Sequence, residues 1–256
     1  MKIKILGAHN TESRNTHCVS LLIDDILALD AGGLTSTLSF KKQTRIKSLL
    51  LTHAHYDHIK DIPTLAMNMF LRRKTLKVYT HKSVQDKLMY YFLDGQIYPD
   101  FQNRPAANPT LRLHLLEAYE EVPIEEYRVL PIPVTHALPT LGYQITSKDG
   151  KSIFYTGDTG PELSEVWNRI SPQVLFIELT APNRWEDSML RNGHMTPNLL
   201  KQELLNFKNI KGYLPKVFTV HMNPEGENEI KSEISQIESI LGIFITIGYE
   251  GMSMEL

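Results

Sequence analysis

The 256-residue chain is poor in several things, and each shortage narrows what it can be. It has one cysteine, Cys18, which removes any internal disulfide and any cysteine-based zinc finger. No run is long and apolar enough to span a bilayer. The opening MKIKILGAHN enters a strand-like pattern with no apolar segment and small-residue cleavage site. A cytoplasmic protein with no membrane partner is therefore expected. Charge of one sign is also lacking: 27 Lys+Arg stand against 29 Asp+Glu, a net charge of -2. No overall positive field would gather a polyanion, so long nucleic acid is a disfavoured partner. Linkers, low-complexity tracts and visible repeats are missing too. With 42% hydrophobic and 22% charged residues, one globular domain spanning residues 1–256 is expected.

What is present is a succession of short β-branched runs, at residues 2–6, 19–23, 26–29, 48–52, 76–80, 128–135, 143–147, 151–155, 174–178, 216–220 and 243–247. Helical patterns occupy residues 59–74, 83–92, 161–170, 196–207 and 227–241, with Pro161 and Pro197 near two helix starts, where a missing N–H costs little. Asp149-Gly150 between two strands predicts a tight primed hairpin turn. The mixture recurs in both halves of the chain, which two sheets packed face to face with helices outside would accommodate. Residues 94–110 (DGQIYPDFQNRPAANPT) form the one long loop, and such loops are often functional.

The strongest chemical signal is Thr52-His53-Ala54-His55-Tyr56-Asp57-His58, between an apolar strand and an amphipathic helix. His-x-His lets two imidazoles reach one cation, and Asp57 and His58 can turn toward a second as the helix begins. One zinc-type site needs about four ligands, so two sites need donors from elsewhere. His136, Asp158 and His221 each follow an apolar strand pattern, at matching positions beyond the strand ends. His17, His81 and His114 are isolated and read as structural; His81 stands at a predicted helix start.

Five motifs in order, Leu29-Asp30-Ala31-Gly32-Gly33, residues 53–58, His136, Gly157-Asp158-Thr159 and His221, make the chain resemble the metallo-β-lactamase superfamily over nearly its whole length. The resemblance implies an α/β fold, a four-layer αβ/βα sandwich of mixed sheets with the site along one edge. It implies two divalent metal ions per chain, one held by His53, His55 and His136, the other by Asp57, His58 and His221, with Asp158 bridging. Asp30 would hydrogen-bond the ligand loop and fix its shape. A donor set of nitrogen and oxygen alone suits zinc, with manganese or iron as alternatives.

Within that superfamily, β-lactamases place a cysteine where this chain has Asp158. Glu178 in Phe176-Ile177-Glu178-Leu179-Thr180, followed by Asn192-Gly193-His194-Met195-Thr196, resembles the phosphodiesterase branch, meaning class II cyclic-nucleotide phosphodiesterases and RNase Z. The opening 6–14 and the segment 97–101 resemble the cyclic-nucleotide enzymes more. The resemblance implies a phosphodiesterase acting on a small phosphodiester, foremost a 3′,5′-cyclic nucleotide such as cAMP. A metal-bridging hydroxide would be the nucleophile, and His194, oriented by Glu178, would give a proton to the leaving oxygen; Asp57 counts with the catalytic groups as well as the ligands. His9, Tyr98, Phe101 and Arg184 are candidate substrate contacts, and residues 94–110 would close over the base. RNase Z enzymes grip tRNA with an arm between the third-motif histidine and fourth-motif aspartate, here an interval of 22 residues (158 − 136) with no room for one. The competing readings are an RNase Z-type nuclease, a carboxylic-ester or lactone hydrolase, and a scaffold without catalysis. A homodimer is the oligomer left open.

Overall fold

A computed structural model describes residues 1–256. Its strands are short because apolar and β-branched runs are cut by polar turns, and they gather into two seven-stranded sheets. The first holds β1 (Lys2–Gly7), β2 (Ser20–Ile23), β3 (Leu27–Leu29), β4 (Ser48–Leu50), β5 (Leu76–Thr80) and β6 (Leu111–Leu115). The second holds β7 (Val122–Ile124), β8 (Tyr127–Pro133), β9 (Leu141–Ser147), β10 (Ser152–Tyr155), β11 (Val174–Glu178), β12 (Lys216–Val220) and β13 (Ile245–Ile247). The chain then returns β14 (Ser253–Glu255) to pair antiparallel with β1. Strands β3 to β6 run parallel, as do β10 to β13, while β7 to β10 form an antiparallel meander.

Three cores make four layers. Ile3, Leu21, Leu29, Val129, Tyr143 and Phe176 fill the space between the sheets. Leu49, Ile62, Leu65 and Met69 belong to the helical layer outside the first sheet, and Trp167, Leu200, Phe207 and Ile234 to that outside the second. The helix Glu227–Leu241 shows how a stripe builds such a layer. Ile230, Ile234, Ile237 and Leu241 recur on one face and are buried, and the helix stops at Gly242 with φ 67°. The αβ/βα sandwich expected from the sequence is the fold observed.

Three local expectations change. The Asp149-Gly150 turn has a three-residue loop. Gly150 N–H donates to Ser147 O, and Gly150 alone takes positive φ, 81°. A type I turn closed by a left-handed glycine replaces the primed turn, which needs positive φ at its first central residue, here Lys148. The predicted helix 59–74 is two helices, Tyr56–Ile59 and Ile62–Leu71. Strands β6, β7 and β14, and the helices Leu34–Thr37, Phe40–Gln43 and Glu186–Asn192, were absent from the sequence pattern. No helix is long and apolar enough to cross a membrane.

Candidate metal centre

Parallel strands bring their C-terminal ends to one edge of the sandwich, and the polar residues just beyond those ends meet there. Asp30 follows β3, the 52–58 loop follows β4, Asp158 lies beyond β10, Glu178 ends β11 and His221 follows β12, while His136 arrives from the end of β8. Gly157 lets two of these segments touch. It has φ 62°, and a Cβ there would come within 2.7 Å of the Thr52 side chain.

Two donor clusters result. In the first, His55 Nδ1 lies 2.9 Å from His53 Nε2 and 3.2 Å from His136 Nε2, while Asp158 Oδ2 stands 3.4 Å from His53 Nε2 and 3.8 Å from His136 Nε2. In the second, His221 Nε2 is 3.1 Å from Asp57 Oδ2, and Asp158 Oδ1 is 3.0 Å from His58 Nε2 and 3.3 Å from His221 Nε2. The two carboxylate oxygens of Asp158 thus face different clusters. All seven residues that the sequence singled out as ligands are brought together here.

The other ring nitrogens are tied down, which sets the tautomers. His58 Nδ1–H donates to Asp30 at 2.8 Å and His136 Nδ1–H to Gly193 O at 2.8 Å. His53 Nδ1–H donates to the Thr52 hydroxyl at 3.0 Å, which itself donates to Asp30. His221 Nδ1–H donates to the Thr180 hydroxyl at 2.8 Å, which donates to Glu178 at 2.6 Å. The Nε2 atoms of these four rings are therefore turned inward, the arrangement by which partners behind a histidine raise its basicity as a ligand. The sequence showed Asp30 but not Thr52, Thr180 or Tyr155, whose hydroxyl also donates to Asp30 at 2.7 Å.

Electrostatics and satisfaction both fit divalent cations at these clusters. Burial holds the His53 imidazole down to about 4 and also lowers His55 and His136, so their lone pairs are available near neutral pH. Burial opposes charge on Asp158, yet His221, His58 and His53 around it keep its carboxyl well below the usual range. His58, fully buried, is held protonated by Asp158, Asp57 and Asp30 despite desolvation. His58 Nε2 and Asp158 Oδ1 are buried without an aligned hydrogen-bond partner, 3.0 Å apart. Converging ring nitrogens, the carboxylates of Asp57 and Asp158, and two buried atoms without aligned partners are what cations bound here would satisfy.

Asp30 carries much of this arrangement. It is fully buried, has φ 54°, and accepts from Thr52 N–H at 2.8 Å as well as from Thr52, Tyr155 and His58 side chains. Asp30→Ala leaves these donors unpaired, so urea unfolding should show a loss of about 3–5 kcal/mol, the cost of breaking a buried ionic network from one side. A loss under about 1 kcal/mol would show that the ligand loop holds its shape without Asp30.

His194 stands between the clusters, its ring 4.9 Å from that of His136 and 5.5 Å from that of His221. Its Nδ1–H donates to Glu178 Oε1 at 2.6 Å, and buried Glu178 also accepts from Thr159 N–H and Met195 N–H. The remaining candidates are placed less simply. Arg184 is paired with Glu229 and lines a cavity of about 390 Å³ that opens beside His194. His9 is buried, its Nδ1 2.6 Å from Glu250 Oε1. Tyr98 is half-buried against the first helical layer. Phe101 is 1% exposed and packs against Phe70 in that layer, so it has no face to offer a base; its apolar character served the core. No residue of 94–110 lines the cavity beside His194. Of the histidines read as structural, His17 faces Glu12, His81 occupies the N-cap position of the helix Lys82–Tyr91, and His114 stacks on Tyr79.

Comparison with known proteins identifies the family. Residues 21–222 match the family model described as a beta-lactamase superfamily domain. Ribonuclease Z of Pyrococcus furiosus is 25% identical over 209 residues, covering 75% of this chain and 66% of that protein. A 3′,5′-cyclic-nucleotide phosphodiesterase of Aliivibrio fischeri is 24% identical over 207 residues, covering 73% and 61%. The chain thus spans just under two thirds of the length of these relatives. Among solved structures, yeast PDE1 superimposes with a TM-score of 0.86 at 16% identity, covering 100% of this chain and 99% of that one. The short form of human tRNase Z gives 0.72 at 19%, covering 100% and 99%. At such identities the structures establish the shared fold.

Proposed function

The chain belongs to the β-lactamase superfamily, and from that premise we propose that it is a metal-dependent phosphodiesterase for small substrates, foremost 3′,5′-cyclic nucleotides. The observation that carries this reading is His194, set beside both donor clusters and held by Glu178, which also supports His221 through Thr180. Ester or lactone hydrolysis would need the clusters but gives His194 no task.

His53, His55 and His136 would hold one cation, Asp57, His58 and His221 the other, with Asp158 shared. Their nitrogen and oxygen donors suit zinc, with manganese or iron as the other candidates. Two divalent cations bound there would supply a nucleophile from water near neutral pH and offset the negative charge of the phosphoryl oxygens. The chain's own residues do the rest. Asp30, Thr52, Thr180 and the Gly193 carbonyl hold the imidazoles in register. His194 holds a proton on Nε2 for the leaving oxygen, while Glu178 fixes the ring and favours its charged form. Net hydrolysis of a cyclic nucleotide places the hydroxyl of water on phosphorus and a proton on the ribose 3′ oxygen, giving a nucleoside 5′-monophosphate.

A small substrate is favoured over tRNA by what lies between His136 and Asp158. Strands β9 and β10 and their tight turn fill that interval. Residues 94–110 hold one arginine and no lysine, and net charge is -2, so phosphate contacts would give little affinity for an RNA body at physiological salt. Metal-replete protein assayed in parallel on cAMP, cGMP, bis(p-nitrophenyl) phosphate, a lactone and a tRNA precursor should hydrolyse a cyclic nucleotide and scarcely cleave the precursor. Efficient 3′ trimming with cyclic nucleotides untouched would replace this reading by the nuclease.

A further inference from the structure

The cavity beside His194 has a wall that the reaction as described leaves unused. His194 and Thr180 line it together with Trp185, Met189, Asn192 and Asn10. At about 390 Å³ it falls in the size range of small-molecule sites. Trp185 is 54% exposed, whereas the chain's other tryptophan, Trp167, is fully buried.

An exposed indole on a loose loop would mean little, but this one is on a pinned turn. Asn183 N–H donates to Glu233 Oε2 at 3.0 Å, and Asn198 N–H donates to Asn183 Oδ1 at 2.7 Å. Arg184, tied to Glu229, lies 5.9 Å from the Trp185 ring centroid. A large apolar side chain lining a polar cavity is thus held in place, as a stacking platform for a nucleobase must be. The amide of Asn10 is placed but unsatisfied. Its backbone N–H is fixed to Met222 O at 3.2 Å, while its Oδ1 is buried with no hydrogen-bond partner. An asparagine amide offers the paired donor and acceptor that match a base edge.

His194 settles which part of a substrate would reach this wall. An acid must face the leaving oxygen, so the leaving side of the phosphorus points toward the cavity. In a 3′,5′-cyclic nucleotide that oxygen carries the ribose, and the ribose carries the base. We infer that this cavity is the nucleoside subsite, with Trp185 stacking on the base and Asn10 bonding its polar edge. The position of the phosphorus rests on the phosphodiesterase reading; the affinity for a base does not.

The test uses binding first, so that the two readings fail separately. On metal-loaded protein, 5′-AMP should quench the Trp185 emission and ribose 5-phosphate should not, and the quench should vanish in Trp185→Phe. By calorimetry, Trp185→Ala should weaken 5′-AMP about tenfold or more and leave ribose 5-phosphate within about threefold, since one stacked base is worth roughly 5- to 150-fold in affinity. Trp185→Phe should restore most of the AMP affinity, and Asn10→Ala should weaken AMP selectively. If Trp185→Ala binds AMP as the wild type does, or loses both ligands equally, the base lies elsewhere. If AMP discrimination holds but no cyclic nucleotide is hydrolysed, the subsite stands and the reaction assignment falls.

Discussion

Replacing Asp158 with alanine is expected to empty both donor clusters together and to lower kcat/KM by about four orders of magnitude. The reason is its place in the geometry. Oδ2 faces His53 at 3.4 Å and Oδ1 faces His58 at 3.0 Å and His221 at 3.3 Å, so one side chain belongs to each cluster. It is also almost wholly buried. Charge stabilisation by bound cations is worth several kcal/mol, and a loss of ~5 kcal/mol is close to four decades of rate. Elemental analysis should find about two ions per wild-type chain and close to none in Asp158→Ala. His55→Ala supplies the contrast: it touches the first cluster alone, so it should retain about one ion. Affinity should also rise with pH. Burial disfavours charge on His58, but Asp158, Asp57 and Asp30 raise it well above its ordinary value, and an incoming cation must displace that proton. Proton competition weakens as pH climbs, so apparent affinity grows in that direction. A wild-type chain saturating at one ion, or an Asp158→Ala variant that keeps two, would remove the shared-carboxylate arrangement.

The parts of the site legible in the sequence were those that physical rules place at strand ends. His53, His55, Asp57 and His58 share a short loop, and His136, Asp158 and His221 follow apolar runs, so topology alone could bring them to one edge. The parallel strands β5, β11 and β12 had matching bounds because β5 alternates and β11 and β12 are short apolar runs bounded by polar turns, and the helix Glu227–Leu241 because its buried stripe follows the helical period. The misses have the opposite character. β7 contains Pro123 and, like β14, lies at a sheet edge, where half-exposed residues blur the alternation. The four-residue helices Leu34–Thr37 and Phe40–Gln43 are too short for a period to show. Thr52 and Thr180 were invisible as site residues because a threonine near a strand end is ordinary. Only the fold shows each hydroxyl passing a histidine's hydrogen bond to a buried carboxylate. Phe101 misled for a related reason: an aromatic in a long loop can cover a ligand or plug a core, and burial alone separates the two.

His194→Ala should leave the metal content unchanged and reduce kcat on a cyclic nucleotide by about two to four orders of magnitude, the range for a lost general acid. Substrate choice isolates that role. The ribose 3′ oxygen is a poor leaving group and needs a proton, whereas p-nitrophenolate departs as an anion. On bis(p-nitrophenyl) phosphate the same substitution should therefore cost tenfold or less. Glu178→Gln should fall between wild type and His194→Ala, since glutamine can still accept one hydrogen bond but carries no charge. Its signature is in the pH profile. Burial pulls the His194 imidazole down, but the charge of Glu178 and their 2.6 Å bond, aided by Asp158, bring it up to about 9. A raised histidine keeps its proton through neutral pH and loses it as pH climbs, so kcat should decline on the alkaline side. Removing the negative charge in Glu178→Gln lowers that value and moves the decline to lower pH, making the deficit larger at pH 8 than at pH 6. A purely structural glutamate would scale the whole profile down without moving the limb. Equal losses on both substrates, or a metal site emptied by His194→Ala, would instead make His194 a third-cluster ligand with Asp158 and His221, a grouping their donor atoms are close enough to form.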